Sequence, residues 1–235
     1  MNLATPNLFW QEDPAEQPVE IPTDVVDVLF SLEGKRLPVD HAYVLMQAIA
    51  ERLPWFADEP RLGIHSIHVA GSQNGWERPA HGTHSHLMLS RRTKLALRVP
   101  SERLEALVAA LRGATLDLAG CPLTLGEAKP RPLSKETTLF ARYLVCLPGE
   151  GEGDFLARVA SELAGLDIRL RKALCGKSLT LATPEGGLES RSLLLADLAP
   201  EESLRLQRHG LGPHRTLGCG LFIPHKGIDS VRKGG

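Results

Sequence analysis

A chain of 235 residues that is 43% hydrophobic and 23% charged suits one large globular domain or two small ones of about 100 residues each. The formal net charge of −1 excludes a bulk polycation. No apolar run reaches the roughly 18 residues of a membrane helix, and the N-terminus lacks the basic start and apolar core of a secretory signal, so we read a cytoplasmic protein with no membrane partner.

Residues 1–22 are rich in Pro, Glu and Gln and read as an acidic, loosely ordered lead-in. VVDVLFSLEG (25–34) is dominated by β-branched and large apolar residues and predicts a strand. A helix follows to Leu53, with Asp40 as its expected cap and Pro54 as its stop. LGIHSIHVAG (62–71) alternates as a strand, and a polar loop containing Trp76 comes next. HLMLSRRTKLALRVP (86–100) reads as one further strand region. Ser101 opens the helix SERLEALVAALRG, closed by Gly113, and ATLDLAG and CPLTLGEA form a strand pair.

KPRPLSKE (129–136) is a proline-bearing basic stretch, and we place a linker at 130–137. The pattern then restarts. TTLFARYLVCLP is a strand, DFLARVASELAGL a helix, and IRLRKALCGKSLTLATPEGG and LESRSLLLADL paired strands. APEESLRLQRHG is a helix and GLFIPHKGI the last strand. Strand, helix, strand, strand, helix, strand, twice over, predicts an α+β fold of two tandem ferredoxin-like, RRM-like domains with antiparallel sheets, at 23–129 and 138–235.

Charge is uneven along this frame. Residues 1–40 carry a net of −6 and the remainder +5. Arg91, Arg92, Lys94 and Arg98 form one basic cluster; Arg169, Arg171, Lys172 and Lys177 form another. Such stripes can hold a phosphate backbone, or simply be a solvated face. Cys121, Cys146, Cys175 and Cys219 are far apart and make no CxxC, so they read as buried reduced thiols rather than a zinc site. In the loop His81-Gly-Thr83-His84-Ser-His86, two histidines at i, i+2 would suit zinc, but no carboxylate or cysteine completes the set. No metal and no cofactor are expected.

The segment Gly210-Leu-Gly212-Pro-His214-Arg215-Thr-Leu-Gly218-Cys-Gly220 lies between the last helix and the last strand. Glycine permits positive φ and close backbone approach, and successive amides in such turns form nests for anionic oxygen. His214 and Arg215 add donors and charge. A helix cap and a bulged turn would also ask for glycine. Neither GxxxxGK[ST] nor a GxGxxG after a strand is present, which disfavours nucleotide-cofactor binding.

The segment HGLGPHRTLGCGLFIPHKGI resembles the C-terminal glycine-rich loop of the CRISPR-associated RAMP proteins. Nearly the whole chain is similar to the Cas-six repeat-RNA endoribonucleases of myxobacterial-type type I systems. That resemblance implies cleavage of precursor CRISPR RNA within the repeat, by attack of the RNA's own 2′-hydroxyl and without metal. The products would be a 5′-hydroxyl and a 2′,3′-cyclic phosphate. It places a catalytic histidine at His41, near the start of the first helix, with Tyr43 as a weaker partner. Imidazole suits proton transfer near neutrality, and lysine or arginine suits the charge on phosphorus. RNA contacts are expected from Arg91, Arg92, Lys94, Arg169, Lys172, His84 and the glycine-rich segment, with Trp76 stacking on unpaired bases. The partners would be precursor and mature CRISPR RNA and other subunits of a type I effector complex, with no direct DNA contact.

Two other readings stay open. A non-catalytic RNA-binding RAMP subunit would not need His41. The triplets His81-Gly-Thr83 and His214-Arg-Thr216, one in each half, would fit a two-histidine phosphoesterase.

Overall fold

The computed structural model describes residues 19–69 and 86–225. The first half runs β1 (Val25–Glu33), β2 (Arg36–Pro38), α1 (Ala42–Ala50), β3 (Gly63–Ile64), β4 (His86–Met88), β5 (Lys94–Pro100), α2 (Leu104–Leu111), β6 (Thr115–Asp117) and β7 (Pro122–Arg131). The second runs β8 (Leu139–Val145), α3 (Glu152–Ala164), β9 (Lys172–Thr183), β10 (Gly186–Ala196), α4 (Pro200–His209) and β11 (Phe222–Pro224).

One sheet has the order β3-β5-β1-β7-β6 and the other β11-β8-β10-β9, and every pairing within them is antiparallel. In each, the first strand sits between the third and the last. That is the ferredoxin-like order, so the chain is an α+β fold of two such modules. Each sheet buries one face under its own helices. Val28, Phe30, Leu95, Leu97 and Leu123 pack with Ile49 and Leu107 in the first module. Ala141, Leu193 and Phe222 pack with Phe155, Val159 and Leu206 in the second. The period-2 alternation of β1, β5 and β8 produces these faces directly.

Four expectations change at the level of elements. Asp40 does not cap α1: the helix starts after His41, and no side chain caps it. Within the described part of the expected strand at 62–71, residues 62–69, only Gly63–Ile64 is strand, because the chain turns away to cover His41. Residues 86–100 are two strands, not one. A turn at Ser90–Thr93, held by Ser90 N donating to Thr93 Oγ1 at 3.1 Å, sends β4 to a separate ribbon with β2 and β5 into the main sheet. Finally, β7 continues to Arg131, opposite Asp27, and thus enters the stretch expected as linker. Pro130 is tolerated there because β6 pairs only with residues 122–124, leaving β7 a free edge for a residue without an N–H.

Candidate functional site

The glycine-rich segment links α4 to β11 and lies at the junction of the modules. Its four glycines have φ of +68, +68, +85 and +66 for Gly210, Gly212, Gly218 and Gly220, a region that L side chains rarely adopt. Gly210, Gly218 and Gly220 are buried, whereas Gly212, Pro213 and His214 are exposed. A Cβ on Gly220 would stand 1.8 Å from the Leu211 carbonyl oxygen, and one on Gly218 would stand 3.2 Å from the carbonyl oxygen of Ile64. Several amides are already used. Leu211 N donates to Gly220 O at 3.0 Å, Gly218 N to Arg215 O at 3.0 Å, and Gly220 N to Tyr143 O at 2.8 Å. Three of the four glycines therefore let the loop close on itself and on the first module, and the part that faces solvent is Gly212–His214.

Arg215 turns inward. Its Nη1 donates to the His209 carbonyl and its Nη2 to the Arg61 carbonyl at 3.3 Å. Burial lowers its pKa to about 10, the neighbouring Arg98 charge adds to that, and Asp27 opposes it. It ties the loop to the first module through neutral carbonyls.

His41 is buried, with 1% of its surface exposed. Its Nδ1 lies 3.0 Å from the Pro38 carbonyl oxygen and its Nε2 3.1 Å from the Ile67 amide. A carbonyl only accepts and an amide only donates, so the ring is neutral with its proton on Nδ1. Ser66 Oγ lies 3.4 Å from Nε2. The same Ser66 meets the glycine-rich segment: a Cβ on Gly218 would stand 3.3 Å from Ser66 N. Segment 64–67 is thus clamped between His41 and the Gly218 turn. Tyr43, two residues further on, packs with Met46 against Tyr143, Leu181 and Leu217 in an apolar cluster between the modules.

The junction rests on one buried ion pair. Arg98 is fully buried; its Nε donates to Asp27 Oδ1 at 2.8 Å and its Nη2 to Asp27 Oδ2 at 3.1 Å. Its Nη1 donates across the junction to the carbonyls of Gln207 at 2.7 Å and Phe222 at 3.0 Å. His65 lies 3.6 Å from Asp27 Oδ1, and burial holds its pKa below the ordinary value. Arg98 is therefore not part of a surface cationic stripe. Asp27 and Ser66 were not singled out from the sequence, and Arg98 was named there only as part of a basic cluster. The available signal was an acid inside the apolar strand VVDVLF and a base inside KLALRVP.

The remaining cations do not gather at the loop. Arg91 and Arg92 are exposed on the β4–β5 turn, and Lys94 is exposed at the start of β5. Arg169 and Lys172 sit beside the N-terminal end of α4: Arg169 N donates to Glu202 Oε1 at 3.0 Å, and Lys172 pairs with Asp197 at 2.8 Å. The glycine-rich loop leaves the other end of that helix, about 15 Å away for ten residues. Trp76, His81 and His84 lie outside the described residues. Of the HxT pair, the second triplet is in the loop and its short 3-10 turn, not on a strand. Among the described residues, no helix is long and apolar enough to cross a membrane.

Fold and site together define a protein of two ferredoxin-like modules joined by a buried Asp–Arg pair and a glycine-rich turn. The family model described as Cas6 Crispr matches residues 26–227. The chain belongs to the Cas6 family. A CRISPR-associated endonuclease Cas6 from Myxococcus xanthus (strain DK1622) is 32% identical over 199 residues, which is 85% of this chain and 81% of that protein. A solved CRISPR-associated protein Cas6 superimposes with a TM-score of 0.60 at 13% identity, covering 86% of this chain and 100% of that one. A RAMP protein described as binding different RNA substrates has a TM-score of 0.60 at 14% identity, with the same coverage. At these identities the two solved structures speak for the fold.

Proposed function

We propose that this protein is a metal-independent endoribonuclease that binds precursor CRISPR RNA and cuts it within the repeat. The observation that carries the reading is the 32% identity to the Myxococcus xanthus Cas6 endonuclease across 85% of the chain. In this reading the RNA's 2′-hydroxyl attacks the adjacent phosphorus, leaving a 2′,3′-cyclic phosphate and a 5′-hydroxyl. His41 is the proposed base. Its Nε2 carries the lone pair, and it accepts the 2′-hydroxyl proton once Ser66–Ile67 gives way to substrate. The neutral tautomer supports that role. Tyr43 holds the first helix against the second module. Gly212, His214, Arg91, Arg92 and Lys94 are the proposed exposed RNA contacts, and Trp76 and His84 extend them; Arg169 and Lys172 contact RNA away from the loop. The protein works in the cytoplasm and joins other subunits of a type I effector complex with the mature guide RNA.

The test is cleavage of a CRISPR-repeat hairpin in EDTA by the wild type and His41→Ala. Loss of cutting with binding retained supports the reading, and full activity in the variant removes His41 as the base. One observation favours a second reading, a subunit that binds RNA without cutting: both ring nitrogens of His41 are engaged by backbone. A wild type that binds the hairpin and never cuts it would establish that alternative.

A further inference from the structure

The strand register of the second module places one residue from each of its four strands in a single row. Ile223 on β11 pairs with Phe140 on β8, Phe140 with Leu194 on β10, and Leu194 with Leu174 on β9. Their neighbours Ala141, Leu193 and Phe222 face the helices, so the row lies on the opposite, helix-free face. With strands 4.7–4.9 Å apart it spans about 14 Å.

Half of that face is covered. Toward the far ends of the strands, Tyr43 and Met46 of α1 lie over Tyr143, Leu181 and Leu188. None of the four residues of the row belongs to that cluster. Leu174 is 65% exposed and Ile223 37%, which makes them two of the four exposed large hydrophobics among the described residues. Phe140 is half-buried at the centre of the row. The ring of His225 packs on it with centroids 5.9 Å apart and planes tilted by 52°. His225 also walls a cavity of about 330 Å³ at the module junction, beside Arg131. Its buried Nδ1 has no hydrogen-bond partner among the described residues.

The border of this apolar row is cationic. Arg142 follows Phe140 by two residues on the same strand, with its Nη2 3.0 Å from His68 Nδ1, and Arg131 stands at the cavity. Asp27 carries two arginines, Arg98 at 2.8 Å and Arg131 at 3.2 Å, which leaves one positive charge in excess there, whereas Lys172, two residues before Leu174, is balanced by Asp197. An aromatic ring in the middle of an open sheet, edged by arginine, complements the faces of unpaired bases and the phosphates between them. A protein segment would use the apolar row but not the cationic border.

We propose that this half-face, open among the described residues, is a stacking platform for a single-stranded RNA segment, with bases on Phe140 and His225 and phosphates toward Arg142 and Arg131. The proposal rests on the RNA-processing reading above and adds to it a binding surface distinct from the His41 site.

The experiment measures fluorescence anisotropy of a labelled short oligouridylate on wild type, Phe140→Leu and Phe140→Trp. Leucine keeps the apolar bulk and removes the ring. Phe140→Leu is expected to weaken binding about tenfold, and Phe140→Trp to bind at least as well as wild type. Equal binding by Phe140→Leu and wild type, with the same unfolding midpoint, overturns the platform, as does a wild type that does not bind the oligouridylate. Repeat-hairpin cleavage is run in parallel. A wild type that cuts the hairpin while Phe140→Leu changes nothing refutes the platform and leaves the nuclease reading intact. Absence of cutting, with a tenfold loss on Phe140→Leu, refutes cutting and leaves the platform.

Discussion

Arg98 and Asp27 face each other across β5 and β1 with both carboxylate oxygens engaged, at 2.8 and 3.1 Å, and the remaining arginine nitrogen reaches the second module. One side chain therefore satisfies a buried acid and two carbonyls of the partner module. Removing Asp27 leaves the buried Arg98 charge without its carboxylate, and removing Arg98 leaves the buried Asp27 with the partly exposed Arg131 at 3.2 Å as its remaining arginine. Arg98→Met or Asp27→Asn is expected to cost about 3–5 kcal/mol in urea unfolding, with Arg98→Met also loosening the junction.

The same pair sets an acid limit. Burial alone would raise the Asp27 pKa, but the Arg98 guanidinium and the His65 ring together outweigh it and hold the carboxyl far below the usual carboxylate range. A depressed carboxylate contributes stability that is complete above its unfolded pKa, about 3.9, and is lost as pH falls below it. The Asp27 contribution to the unfolding free energy is expected to be complete above about pH 5 and to fall from about pH 4 downward. Asp27→Asn should flatten that decline, as followed by denaturation at stepped pH.

The glycines of the junction loop should divide by task. At Gly220 a methyl group meets the Leu211 carbonyl oxygen at 1.8 Å, so Gly220→Ala is expected to cost more than about 2 kcal/mol. At Gly212 the nearest atom is 3.6 Å away, so Gly212→Ala carries only the positive-φ cost, about 1 kcal/mol. Gly218→Ala pushes on Ile64 and Ser66, the segment lying on His41, and should disturb hairpin cleavage beyond its effect on the melting midpoint.

His41 is held by backbone at both nitrogens. His41→Ala leaves the Pro38 carbonyl and Ile67 amide without their partner and is expected to cost about 1–3 kcal/mol. Nitrogen NMR of the imidazole should show the Nδ1–H tautomer near neutral pH. A signal from the Nε2–H form would contradict the geometry and, with it, the proposed base.

Cys219 is fully buried, and burial pushes its thiol up to about 12. It should resist alkylation by iodoacetamide in the native protein and react after unfolding, read by mass spectrometry. Because its folded pKa is raised, its contribution to stability is complete below the ordinary thiol value, about 8.5, and is lost as pH climbs from there toward about 12.

The alternation in VVDVLF, KLALRVP and LFARYLV made the strands legible, and the repeated strand–helix order made the two modules legible, because period and propensity are local. The strand at 62–71 was misjudged for a reason that is not local: after Ile64 the chain leaves the sheet so that the Ile67 amide can close on His41. The candidate site was legible as a list and not as an arrangement. His41 and the glycine-rich segment do meet, through Ser66, whereas Arg169 and Lys172 lie at the opposite end of α4.

The glycine-rich segment shows the division most clearly. The sequence by itself determined that residues 210–220 must take backbone conformations other residues avoid, since four glycines in eleven residues are a statement about φ. Only the tertiary structure decided what that freedom is for. Three of the glycines admit the close approach of Leu211, of Arg215 and of segment 64–66, and one is left facing solvent. The same holds for Asp27 and Arg98. Two opposite charges buried in apolar strands are visible in the sequence, but their pairing, and their reach to Gln207 and Phe222, depend on contacts across more than 70 residues of chain that no local pattern encodes.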